Sequence, residues 1–191
     1  MKLLILVMAV AVVAVLLKAG CAAMRAGYQS APYQVARRDG HFELRNYPTL
    51  VVVETPMRGS DNSFMRLFRF IGGSNVAKQK IAMTTPVFMA GEATNAAMAF
   101  VMPKNMSASQ TPKPDDPNVV VREVSGGQFA VLRYRGGRNA KNEAAALAKL
   151  NSWIERESMK PEGSPIYGYY DPPWTPTFFR RNEVMLRAVT P

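Results

Sequence analysis

Apolar and polar residues alternate with period two through residues 33–37 and 42–47, which predicts two half-buried strands. Asp39-Gly40 between them predicts a hairpin turn. The β-branched run at 50–54 predicts a third strand. The period then changes. Apolar residues recur at helical spacing from 62 to 71, Asp61 is placed to cap that helix, and Gly72-Gly73 stops it. Two more strands are expected at 80–89 and 96–102.

A stiff segment, Thr111-Pro112-Lys113-Pro114-Asp115-Asp116-Pro117, has no periodicity and divides the chain. Beyond it the order repeats: strands at 119–124 and 128–134, a long helix at 138–159 with Leu147, Leu150, Trp153 and Ile154 at helical spacing, and extended segments at 166–170 and 182–189. Strand, strand, helix, strand, strand, occurring twice, points to an internal duplication. The expected fold is α+β: a strongly curved, mostly antiparallel sheet with two flanking helices and two halves related by a pseudo-twofold axis. In the last strand Val184, Leu186 and Ala188 should face one side, with Glu183, Met185 and Arg187 on the other.

The first stretch has a different pattern. Lys2 precedes fifteen consecutive apolar residues, 3–17, and then Lys18-Ala19-Gly20-Cys21-Ala22-Ala23. This is the layout of an export signal, and it falls short of the roughly 20 residues that span a bilayer. Cys21 stands where a bacterial lipoprotein leader places its lipidated cysteine, after Ala19 and Gly20, although Lys18 departs from that pattern. Cleavage after Ala22 or Ala23, giving a soluble exported protein, and an uncleaved anchor are the other two outcomes. The expected organisation is a leader at 1–23, a linker at 24–32 and one domain at 33–191. Cys21 is the chain's single cysteine, so the domain must stand without an internal disulfide. The chain carries a net charge of +10. That balance suggests anionic partners, and export argues against nucleic acid.

The chemical inventory is thin. There is one histidine, His41, in the expected turn. No cluster has metal-ligand spacing, and Gly72-Gly73 follows a helix where a phosphate cradle would open one. The first helix holds more interest. Phe64, Leu67, Phe68 and Ile71 form an apolar stripe for the sheet. Met65 and Phe70 lie off it, with Arg66 and Arg69 between. A helix with a second apolar side needs a second contact. Either a loop of the same chain supplies it, or a flat apolar ligand with acidic edges such as heme does.

Four segments, in order, resemble the SOUL/heme-binding protein family: Phe42-Glu43-Leu44-Arg45-Asn46-Tyr47, Phe70-Ile71-Gly72-Gly73-Ser74-Asn75, Lys80-Ile81-Ala82-Met83-Thr84-Thr85-Pro86-Val87, and Tyr169-Tyr170-Asp171-Pro172-Pro173-Trp174 followed by Arg180-Arg181-Asn182-Glu183-Val184. The resemblance spans about 33–189. It implies a distorted barrel of two halves that binds heme or another porphyrin and is not a conventional enzyme. It further implies a pocket between the first helix (Phe64, Met65, Phe68, Arg69) and the loop before the last strand (Trp174, Thr175, Phe178), with Arg180 and Arg181 as propionate partners. Those arginines can equally pair with Glu183 or with surface carboxylates. Some family members carry a proposed iron-ligating histidine where this chain has Asn46. His41, Met65 and Met83 are the remaining candidate iron ligands, and a ring held by apolar contact alone would need none.

Two other functions compete: a hydrolase-like enzyme with Glu183 or Glu43 as a general base, and an envelope module whose basic surface meets lipid or protein.

Overall fold

The computed structural model describes Met8 and residues 27–58, 62–91 and 95–189. The expected leader, Cys21 and the Asp61 cap lie outside the described residues.

Nine strands form one antiparallel sheet: β2 (Gln34–Asp39), β3 (Phe42–Tyr47), β4 (Leu50–Pro56), β6 (Val87–Ala90), β7 (Ala97–Val101), β8 (Val120–Val124), β9 (Gly127–Tyr134), β10 (Lys160–Tyr169) and β11 (Asn182–Val189). Their spatial order is β2-β3-β9-β11-β10-β6-β7-β4-β8. Exchange β3 with β8, β9 with β4, β11 with β7 and β10 with β6, and the order from β3 to β8 reads the same from either end. Each half also places its helix between the second and third of these strands: α1 (Ser63–Ile71) in the first and α2 (Ala140–Arg156) in the second. The expected duplication is thus visible in the pairing itself, with the twofold axis between β6 and β10. β2 is an addition on one edge. The sheet ends at β2 and β8, so the curl is not closed by hydrogen bonds into a barrel.

The halves exchange strands at two corners. β3 leaves for β4 through Pro48 and Thr49, and β8 leaves for β9 through Ser125 and Gly126. The corners touch: a Cβ on Gly126 would lie 2.4 Å from the Tyr47 carbonyl oxygen and 2.8 Å from the Thr49 nitrogen. Arg187 fastens the junction by donating to the carbonyls of Gly126 (2.8 Å) and Ser125 (2.9 Å).

Both helices lie on one face of the sheet. Opposed residues in an antiparallel pair point the same way. Tyr167, against the α2 cluster, is opposite Met89, against the α1 cluster. Beneath α2 pack Leu44, Leu132, Val184 and Leu186 with Leu150, Trp153 and Ile154. Beneath α1 pack Val53, Phe100 and Met98 with Leu67, Phe70 and Ile71. The other, inner face holds Val52, Phe129, Val131 and Met185, covered by Ala31 and Tyr33. The β11 alternation is as expected, with Val184, Leu186 and Ala188 on the helix side.

Three local expectations change. The residues of α1 buried against the sheet are Leu67, Phe70 and Ile71, with Ser63, while Phe64 and Phe68 turn outward. The spacing of Leu67, Phe70 and Ile71 is as helical as that of the expected stripe, and the sheet selects it. Second, the expected strand at 80–89 is two pieces. Before Pro86, which has no N–H to donate, β5 (Thr84–Thr85) pairs in parallel with β1 (Gln29–Ser30); after it, β6 joins the main sheet. Gln29 and Ser30, within the expected linker, are thus paired to the domain, and Ala31 is buried against it. Third, α2 is shorter than expected and starts at Asn139, whose side chain accepts from the Asn142 N–H at 2.9 Å.

Candidate functional site

Five of the residues that carry the family resemblance, Glu43, Arg45, Tyr170, Arg181 and Glu183, meet in a charge network. Arg45 is fully buried. Its Nε donates to Glu43 at 2.7 Å, and its two Nη atoms donate to the Glu183 oxygens at 2.7 and 2.9 Å. The guanidinium lies 4.0 Å from the centre of the Tyr33 ring. Arg181 also donates to Glu183, at 2.6 Å, and stacks 3.9 Å over Tyr170, whose hydroxyl donates to the same carboxylate at 2.8 Å. Glu43 further accepts from Arg133 and pairs with Arg38 at 2.8 Å. Alternation along β3 and β11 forces these side chains together, because Glu43, Arg45, Glu183 and Met185 share the inner face.

Burial pushes both carboxyls up. The hydrogen bonds and charge of Arg45, joined by Arg133 at Glu43 and Arg181 at Glu183, outweigh it and hold both below the usual carboxylate range. Burial raises the Tyr47 hydroxyl to about 12. A general base needs a pKa near the working pH and a free lone pair facing substrate. Glu43 and Glu183 have neither, so the geometry gives them a structural task.

Depressed carboxyl pKa values stabilise the fold at any pH above the unfolded value of about 4.3, and that contribution is lost as the pH falls through the lower, folded values. The urea midpoint should therefore decline from about pH 4 downward, and more gently in Glu183→Gln. An unchanged midpoint down to pH 3 would contradict this assignment.

Asn75 does comparable work behind α1. It is fully buried, donates to the Phe70 and Gln79 carbonyls at 3.1 and 2.8 Å, and accepts from the Gln79 N–H at 3.0 Å. These motif residues hold strands and loops in register. The sequence offered Glu183 as a partner for the neighbouring arginines but did not single out Arg45, whose signal was a charged residue alternating in phase with Glu43 and Tyr47.

The expected pocket residues are placed differently. Phe64, Met65 and Phe68 stand exposed on α1, and Trp174 and Phe178 are 76% and 60% exposed on the loop. These four are all of the exposed phenylalanines and tryptophans among the described residues. Phe64 stacks on Phe68 (5.9 Å between centroids) and meets Phe100 edge-on (5.3 Å). The paired row Val53–Phe100–Val87–Tyr169–Asn182 runs from beneath α1 to the base of the loop. The Phe64 end of α1 and the loop thus occupy the same end of the sheet, about 10 Å apart at the row between Phe100 and Tyr169. Arg69 is exposed on the same helix and has no ion-pair partner among the described residues.

Two members of the expected site point elsewhere. Thr175 is buried, with its hydroxyl unpartnered. Arg180 is spent on its own loop, donating to the carbonyls of Thr175 (2.8 Å) and Pro173. Arg181 is held by Glu183, so pairing with a carboxylate is observed for Arg181, while Arg180 bonds to backbone carbonyls instead.

Of the iron-ligand candidates, Met65 is exposed on α1, Met83 packs against the α1 core, and His41 is exposed in the β2–β3 turn. Asn46 accepts from Gln128 at 3.3 Å on the sheet surface. Among the described residues no group of three His, Cys, Asp or Glu side chains is placed to hold a metal. The inner face keeps a cavity of about 80 Å³, lined by Val52, Phe88, Phe129 and Met185, far below the several hundred Å³ of ordinary ligand pockets. A ring-sized ligand therefore does not fit this cavity.

Comparison with known proteins agrees with the motifs. The chain is 26% identical over 171 residues to heme-binding protein 1 of Bos taurus, covering 81% of this chain and 89% of that one. Among solved structures it resembles a hydrolase from Listeria innocua (TM-score 0.62, 9% identity, covering 81% of this chain and 94% of that one). It also resembles the EcmrR C-terminal domain (TM-score 0.57, 14% identity, covering 83% and 99%). At these identities the two structures speak for the fold alone. The model of the SOUL heme-binding proteins matches residues 28–187, which take in both helices and all but the last two residues of the two-halved sheet, and the chain belongs to that family.

Proposed function

We propose that this protein binds heme or a related tetrapyrrole on the aromatic surface formed by α1 and the 172–179 loop, and does so at the cell envelope. The observation that carries the reading is the exposure of Phe64, Phe68, Trp174 and Phe178 in a chain that otherwise buries or half-buries its phenylalanines and tryptophan. Exposed aromatic rings gathered at one end of a sheet suit a flat apolar ligand. Arg69, exposed beside Met65 and Phe68, supplies a cation for a carboxylate edge. Arg180 and Arg181 would serve only by giving up their present bonds. Family membership and the bovine relative's name support a tetrapyrrole over other flat ligands.

Apolar contact then dominates the affinity, and iron ligation is secondary. Phe68→Ala combined with Trp174→Ala should weaken porphyrin binding about a hundredfold, as expected for two lost aromatic contacts of roughly 1.5 kcal/mol each. The melting temperature should stay put, since both side chains are exposed. Unchanged affinity in the double variant would remove the site.

The leader supports the location. Export followed by lipidation at Cys21 would tether the domain at the membrane, where it would buffer, carry or scavenge its ligand. In a bacterial host, Cys21→Ser should move the protein from the membrane to the soluble fraction. Retention in the membrane would favour an uncleaved anchor.

A further inference from the structure

The second half of the molecule carries a cleft that the proposed tetrapyrrole surface does not use. It lies between α2, the β2–β3 hairpin and the end of the 172–179 loop, and its volume is about 880 Å³. α2 is the counterpart of α1 under the pseudo-twofold exchange. The surface it overlooks is chemically different from the one beside α1.

Six of the side chains lining the cleft are cations, and Asp39 is the one carboxylate. Asp39 is already engaged, accepting from Trp153 Nε1 and from Arg156, each at 3.0 Å. Arg135 and Lys149 are exposed and have no ion-pair partner among the described residues. The other four are engaged: Arg133 by Glu43 and, at 3.9 Å, by Glu183, Arg156 by Asp39, Arg180 by its own loop and Arg181 by Glu183. The floor is apolar, formed by Phe42, Leu132 and Phe179, with Phe42 held in place by stacking on Trp153 at 5.2 Å. Two exposed cations without ion-pair partners, beside an apolar floor, complement an anion with an apolar body.

We infer that this cleft is a separate binding site for a small amphipathic organic anion: a flat apolar group seated on Phe42 and Phe179, with a carboxylate, sulfonate or phosphate held by Arg135 and Lys149. Its lining differs from the tetrapyrrole surface, since none of Phe64, Met65, Phe68, Trp174 and Phe178 takes part, although Phe179 stands on the same loop and touches Phe178 at 4.4 Å between ring centres.

Calorimetric titration with 1-naphthyl phosphate, 1-naphthol and inorganic phosphate tests the assignment. The expected result is one naphthyl phosphate per chain, weakened roughly tenfold in Arg135→Ser with Lys149→Ser. Binding should be unchanged in Phe68→Ala with Trp174→Ala. Naphthol or phosphate alone should bind at least tenfold more weakly. Wild-type affinity in the Arg135/Lys149 variant would overturn the proposal, as would loss of binding in the Phe68/Trp174 variant or equal affinity for inorganic phosphate. Because the two variants probe different surfaces, failure here leaves the tetrapyrrole reading standing, and the reverse.

Discussion

Replacing Arg45 by methionine should lower stability by about 3–5 kcal/mol, the cost of leaving buried carboxylates without their partner. In a chain of this size that is a fall in melting temperature on the order of 10 °C. Arg45 sits between Glu43 and Glu183, both fully buried, and bridges β3 to β11 across β9. Arg133 and Arg38 would remain on Glu43 and Arg181 on Glu183, but only Arg133 reaches both carboxylates, and it meets Glu183 no closer than 3.9 Å. The loss is one of balance as much as of a bond. Removing all three charges together, as Glu43→Gln, Arg45→Met and Glu183→Gln, should therefore cost less than removing Arg45 alone, because no carboxylate is stranded. Urea denaturation of the two variants separates the cases. A triple variant that is the less stable of the two would show that the ion pairs themselves, and not the penalty of an unpaired charge, hold this face together.

Gly126→Ala should cost about 3 kcal/mol, at the upper end of what a single added methyl does in a packed region. The new Cβ would fall 2.4, 2.6 and 2.8 Å from backbone atoms of Tyr47, Pro48 and Thr49. Backbone cannot swing aside as the end of a side chain can, so the two strand-exchange corners must part. Gly163→Ala is the control. Gly163 has a positive φ of 73° but open space around it, so only local conformational strain of about 1–2 kcal/mol should appear. Equal losses at the two positions would mean that the corners yield and that their contact does not fix the relation between the halves.

Much of this architecture was legible in the chain. Period-two alternation located the strands of both halves, and the repeated element order gave the duplication, because both depend on local patterns that tertiary packing preserved. What the pattern left undetermined was rotation about the α1 axis. Phe64, Leu67, Phe68 and Ile71 and the observed set of Leu67, Phe70 and Ile71 have the same helical spacing, and only the sheet beneath decides between them. The distinction carries weight, since it sends Phe68 to the surface and Phe70 to the core. Pro86 also signalled an irregular strand, but not that residues 29–30 would pair beside it, since a two-residue parallel ladder leaves no periodicity.

For the site, residue type was informative and geometry was not. The aromatic residues expected to meet a ligand are the exposed ones. The arginines expected beside them are engaged elsewhere, Arg180 by its own loop and Arg181 by Glu183. The motifs that carry the family resemblance proved to be mostly structural: Glu43, Arg45, Asn75 and Glu183 are fully buried and bonded. A family's most recognisable residues can mark how its fold is held as much as where it binds.

The central claim is that an aromatic surface on this protein takes up a tetrapyrrole through apolar contact. The most direct measurement is an absorbance titration with hemin and, in parallel, with metal-free protoporphyrin. Saturable one-to-one binding of both, with dissociation constants within about tenfold of each other, is the predicted result, since iron ligation is secondary. Binding of hemin alone with a shifted Soret band would contradict it and direct attention to His41, Met65 and Met83. Saturable binding of neither would contradict the tetrapyrrole reading altogether.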